Sequence, residues 1–141
     1  MTTDSPVSLS SLMTPSKTVT IDFSGYKGFN VDLCYLARES LIKLRKKCVT
    51  TKFSRKSRTP EEVLDEDLFL QLYCAEVIKN WEGFKYRYLE ELLLVDISAF
   101  DPDDCLPFTQ ENAELLMKNS GDFDTWVTET VGDLENFTQN K

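Results

Sequence analysis

The sequence predicts an α+β fold that is mostly helical, with an N-terminal β-hairpin packed on about five α-helices. Three observations carry this. Apolar and polar residues alternate between positions 19 and 35. Beyond position 36 apolar residues recur every three or four places, and clusters of Gly, Pro and Asp separate the runs. At 141 residues and 41% hydrophobic, the chain can bury one core and is too apolar to stay unfolded.

One domain is expected over residues 17–137. Residues 1–16 (rich in Ser, Thr and Pro, without periodicity) read as a flexible tail, and residues 138–141 fray. Val19, Ile21 and Phe23 alternate with Thr18, Thr20 and Asp22, a half-buried strand. Gly25 and Gly28 supply the positive φ of a tight turn. Phe29, Val31, Leu33 and Tyr35 then form a second strand. A hairpin alone is marginal in water, so its apolar face needs a cover. The next segment offers one: Leu36, Leu41, Leu44 and Cys48 are spaced for a helix that ends in cations, as the helix dipole favours.

Residues 49–58 (VTTKFSRKSR) have no apolar period and read as a loop or mobile arm. Thr59-Pro60-Glu61-Glu62 has the form of a capping box with proline at the first helical position, and Asp65-Glu66-Asp67 offers a second start. Phe69, Leu72, Tyr73, Val77, Ile78 and Trp81 make a wide helical stripe that Gly83 ends. A short helix runs from Tyr86 towards Asp96, and residues 97–108 form a loop rich in Asp and Pro. Thr109 caps a further helix, with Leu115, Leu116 and Met117 inside and Gly121 at its end. Asp122 caps the last helix, whose stripe is Phe123, Trp126, Val127, Thr130, Val131, Leu134 and Phe137.

Charge is unevenly placed. The net −8 divides into −1 over residues 1–42, +8 over 43–58 and −15 over 59–141. A cationic segment beside an anionic body suits contact with itself, a second copy or an outside partner. The chain has no histidine, which removes the usual general base and the commonest metal ligand. Cys34, Cys48, Cys74 and Cys105 lack zinc or redox spacing. Their even number permits two disulfides. Free thiols are favoured, because each lies in or beside an apolar run and no secretory signal is recognisable. The expected compartment is the cytosol, with no membrane span.

No catalytic constellation emerges, so an enzyme is not expected and no cofactor or metal is implied. Asp101, Asp103 and Asp104 lack the glycine and terminal glutamate of a calcium loop and read as turn chemistry. The candidate partner-binding residues form two sets. Lys43, Lys46, Lys47, Lys52, Phe53, Arg55, Lys56 and Arg58 are the cationic set. Their plain reading is a solvated helix end and polar loop. Protein docking is the functional alternative, and an acidic body disfavours nucleic acid. Trp81, Phe84, Trp126 and Phe137 are the aromatic set, either core anchors or interface hot spots.

Across residues 17–137 the order of pieces resembles the tail assembly chaperones of long-tailed bacteriophages. The pieces are FNVDLCYLARESLIKLRKK, VIKNWEGF, LPFTQENAELLMKN and TWVTETVGDLENF. The resemblance implies a non-enzymatic chaperone in the host bacterial cytoplasm, absent from the mature virion. It implies binding to the tape-measure protein and the tail-tube protein, with self-association. It assigns no individual binding residue. The alternative function is a small acidic phage protein that inhibits a host nucleic-acid enzyme, motivated by the twenty acidic residues after position 58.

Overall fold

A computed structural model describes residues 6–13, 16–53, 55–56 and 58–138 and places them in a mixed α+β arrangement. Residues 1–5 and 14–15 of the expected tail, 139–141 of the expected fraying, and Ser54 and Ser57 lie outside the described residues. In chain order the elements are α1 (Leu9–Leu12), β1 (Thr18–Asp22), β2 (Asn30–Cys34), α2 (Arg38–Lys47), β3 (Val49–Phe53) and β4 (Pro60–Leu64). They continue with α3 (Glu66–Val77), β5 (Ile78–Glu82), α4 (Tyr86–Leu92), α5 (Gln110–Asn119), α6 (Gly121–Gly132) and α7 (Glu135–Thr138).

The hairpin forms where alternation places it: β1 and β2 run antiparallel, with Val19 opposite Leu33 and Ile21 opposite Val31. Its second edge is closed by β5, which gives a sheet ordered β1-β2-β5. β2 is therefore the central strand, and Val31 and Leu33 are wholly buried. α3 and α6 pack against it.

The stripe from Phe69 to Trp81 was expected to be one helix, and it breaks after Val77. The reason is tertiary. Burial of β2 denies its second row of N–H and C=O groups to water, and Asn80 and Trp81 supply partners opposite Asp32 and Val31. Trp81 stays inside all the same. Its Nε1 donates to the Leu106 carbonyl at 3.0 Å, and its ring meets Phe84 and Phe108 edge-on.

The expected loop at 49–58 and helix start at 59–62 are also corrected. Val49–Phe53 and Pro60–Leu64 pair as an antiparallel ribbon, Lys52 opposite Glu61 and Thr50 opposite Val63. The helix begins instead at the second start, where Asp65 accepts the Leu68 N–H at 3.1 Å. The β-favouring residues Val49, Thr50, Thr51 and Phe53 outweigh the local cap signal once a partner strand is in register.

The last stripe is not one continuous helix. Ser120 both ends α5 and caps α6, accepting the Phe123 N–H at 3.3 Å. Gly121 therefore opens α6 where it was expected to end α5, and Asp122 is not the cap. Asn136 Nδ2 donates to the Thr130 carbonyl at 3.1 Å, which turns the chain and returns Phe137 to Tyr35. Leu115, expected inside, is half exposed, while Leu116 and Met117 are buried. Thr109 caps α5 as its sequence predicts, accepting the Asn112 N–H at 3.0 Å.

Gly83 sits at φ +73°, and a Cβ there would run into the carbonyl of Gly28. Gly25 has φ +93° but open space around it. Gly83→Ala should therefore lower unfolding free energy by about 3 kcal/mol, strain and clash together, whereas Gly25→Ala should cost about 1 kcal/mol. Urea midpoints of the two variants check this; equal losses would refute the role given to the crossing.

Candidate interaction surfaces

The aromatic set divides by burial. Trp81, Phe84 and Phe137 belong to the core and present almost no surface, so as folded they are anchors of the fold and not a docking face. Trp126 is half-buried and meets Phe23 edge-on at 4.7 Å. The sequence left these two roles open because helical spacing is shared by core and interface residues.

The cationic set stays outside. Lys43 pairs with Glu39 at 3.4 Å on the exposed side of α2, and Lys46 and Lys47 stand at its C-terminal end. Lys52 and Phe53 lie on β3, and Arg55, Lys56 and Arg58 on the connection to β4. The ribbon is closed at its base by the Asp65 N–H donating to the Cys48 carbonyl at 2.7 Å. Val49 and Leu64 are half-buried there, and the remaining strand residues are exposed. Pairing puts Phe53 and Pro60 at the far end. Phe53 is 67% exposed, an aromatic ring in water beside four cations. Arg58 takes a positive φ of 56°, which completes the turn.

Among the hollows of the surface, one of about 740 Å³ lies where the ribbon meets the start of α3, with Lys52, Asp65, Glu66 and Asp67 in its lining, and two lie between helices. The first of these two lies between α3 and α5 and has a volume of about 550 Å³. Asp65, Asp67, Glu111 and Glu114 wall it, and Leu68 and Leu115 offer apolar contact. Lys118 also lines it, 3.7 Å from Asp67. The second is an apolar groove of about 350 Å³ between α2, α3 and α6. Leu41, Phe69, Leu70, Tyr73 and Val131 line it, with Arg45 and Asp124 among the lining residues. Arg45 also lies over the Phe69 ring at 5.6 Å, a cation–π contact. Sequence reading missed both hollows. The signals were present: carboxylates at 111 and 114 share a helix face, and the stripe of α3 is wider than one neighbour can cover.

The Asp-rich loop is held by α4. Asp103 accepts from Arg87 Nε at 2.9 Å and Nη2 at 2.6 Å, and Asp101 accepts the Asp103 N–H at 2.9 Å. Among the described residues no group of three or more His, Cys, Asp or Glu is placed to hold a metal ion. No helix of the described residues is long and apolar enough to cross a membrane. The four cysteines are free thiols, with Cys34, Cys48 and Cys74 buried and Cys105 exposed. No family model, curated protein or solved structure matches the chain.

A thiol reagent should label Cys105 rapidly in the native protein and all four cysteines after unfolding. Rapid native labelling of two or more would contradict the burial described. Burial also pushes the Cys74 thiol from 9.0 up to about 12, with Glu114 and Asp124 adding to the rise. A raised value means the native state holds the proton more tightly. That stability is whole below pH 9.0 and is lost as pH climbs towards 12. Burial raises Tyr73 above 10.0 in the same sense. Stability should therefore fall above pH 9, and Cys74→Ala should flatten that slope whatever it does to the starting level. Urea melts at stepped pH measure it.

Proposed function

We propose that this chain is a non-enzymatic assembly chaperone of the kind that serves long-tailed bacteriophages. It holds the tape-measure protein in solution in the host bacterial cytoplasm, helps recruit tail-tube subunits, associates with copies of itself and is left out of the finished virion. The observation that carries the reading is the apolar groove between α2, α3 and α6, a surface of the kind that one face of an amphipathic helix covers. Arg45 and Asp124 bring opposite charges to that groove, so a long amphipathic helix with charged flanks fits it in one register better than another.

The quoted motifs support the reading from the side of the fold. VIKNWEGF supplies β5 and the Gly83 crossing, LPFTQENAELLMKN the capped start of α5, and TWVTETVGDLENF the turn between α6 and α7. A family defined by these pieces is defined by how its core closes, which is why they assign no binding residue.

Coexpression with a tape-measure protein should move that protein into the soluble fraction and yield a complex with several copies of this chain on each client. Leu41→Glu with Phe69→Glu, both at half-buried groove positions, should cut client recovery about tenfold, a loss of roughly 1.4 kcal/mol in total. Circular dichroism establishes that the variant is folded. An insoluble client that never co-purifies with the unaltered chain sinks the reading.

A further inference from the structure

We propose that the β3–β4 ribbon of one copy docks into the hollow between α3 and α5 of a second copy. The inference rests on the self-association included in the function proposed above and is independent of the client.

Among the described residues the ribbon is a two-stranded sheet with no third strand, and such a unit is marginal unless something covers it. Its far end combines one exposed ring, Phe53, with the cations Arg55, Lys56 and Arg58, while Lys52 stands opposite Glu61 one pair further in. That combination calls for a partner with carboxylates around an apolar floor. The α3–α5 hollow has this composition: Asp65, Asp67, Glu111 and Glu114 stand around Leu68 and the half-exposed Leu115. Its volume of about 550 Å³ exceeds that of an aromatic side chain. The cation in its lining, Lys118, is exposed and only 3.7 Å from Asp67, a pair that is cheap to rearrange.

Geometry favours a second copy over the same chain. β4 runs directly into Asp65, which is itself part of the hollow. The ladder of five cross-strand pairs carries the tip about 17 Å outward from that point. A chain seating its own tip has to break the ladder, whereas a neighbour presents an intact hollow to an intact ribbon. Tip and hollow are different surfaces, so the contact is heterologous and each copy keeps one of each free for a further neighbour.

A charge swap tests this on the chain alone. Arg55→Glu with Lys56→Glu reverses the tip, and Glu111→Lys with Glu114→Lys reverses the hollow. Sedimentation velocity at about 0.05 M salt, where exposed charges are least screened, reads association. The unaltered chain should self-associate, and each reversed variant alone should do so at least about tenfold more weakly. An equimolar mixture of the two should recover association, because negative tips then meet positive hollows. Circular dichroism checks that every variant is folded. A monomeric unaltered chain, or a mixture no better than its components, overturns the proposal. So does a tip that binds a fluorescent single-stranded oligonucleotide, loses it on reversal and leaves sedimentation unchanged. A monomeric chain would also remove self-association from the function proposed above, whereas client binding by the apolar groove of a single copy is read separately, by the coexpression experiment.

Discussion

Where Gly83 passes Gly28 the two backbones lie so close that no Cβ fits on Gly83, although one on Gly28 would meet open space. Each glycine is followed by a phenylalanine, and Phe29 and Phe84 stack with centroids 4.3 Å apart and planes 7° from parallel. Both rings are wholly buried. The crossing sets the depth at which β5 enters the sheet beside β2. From there the aromatic contacts spread: Phe84 to Trp81, Trp81 to Phe108, and Phe29 through Phe23 to Trp126 on α6. Each such pair adds about 0.5–1.5 kcal/mol beyond the area it buries. More important, each fixes an angle. Through these rings the glycine crossing and the position of α6 are coupled.

The exterior follows a different rule, separation of charge. The anionic residues spread from β4 to α7: some sit in the first turns of α3, α5 and α6 and in the Asp-rich loop, others, such as Glu61, Glu62 and Glu82, on strands. The cations concentrate at the end of α2 and along the ribbon. An exposed edge strand invites unwanted pairing, and Lys52 on β3 together with Pro60 at the start of β4 discourages it. Charge therefore does two things for the ribbon. It keeps the ribbon from pairing indiscriminately along its edges, and it leaves the tip complementary to a carboxylate-walled surface.

Sequence reading reached the parts of this molecule that are locally encoded. The β1–β2 hairpin follows from alternation and two glycines, and the start of α5 from Thr109 as a cap. The breaks were less legible. Ile78 and Trp81 lie on the apolar stripe of a helix and also on the inward face of a strand, and only the unfilled edge of β2 decides between them. Thr59-Pro60-Glu61-Glu62 is a good local cap beaten by a strand pairing ten residues upstream, which no local pattern records. The candidate surface was half legible. The +8 segment stood out by composition, whereas the hollow that matches it is assembled from α3 and α5, which are separated in sequence by β5, α4 and the Asp-rich loop.

These features bear on how a client could be held and then released. On the proposed reading a single helix turn seated in the apolar groove gains only a few side chains of burial, at about 25 cal/mol per Å² removed from water. One such contact dissociates readily. A row of copies joined tip to hollow offers the same groove repeatedly along one long helix, and the second contact is then made at the high effective concentration set by the first. A chaperone built on that proposal would hold firmly as an array and weakly as a monomer. Joints of the proposed kind would be ionic and exposed, hence weaker than the aromatic core, and an assembly partner could separate such an array without unfolding any member of it.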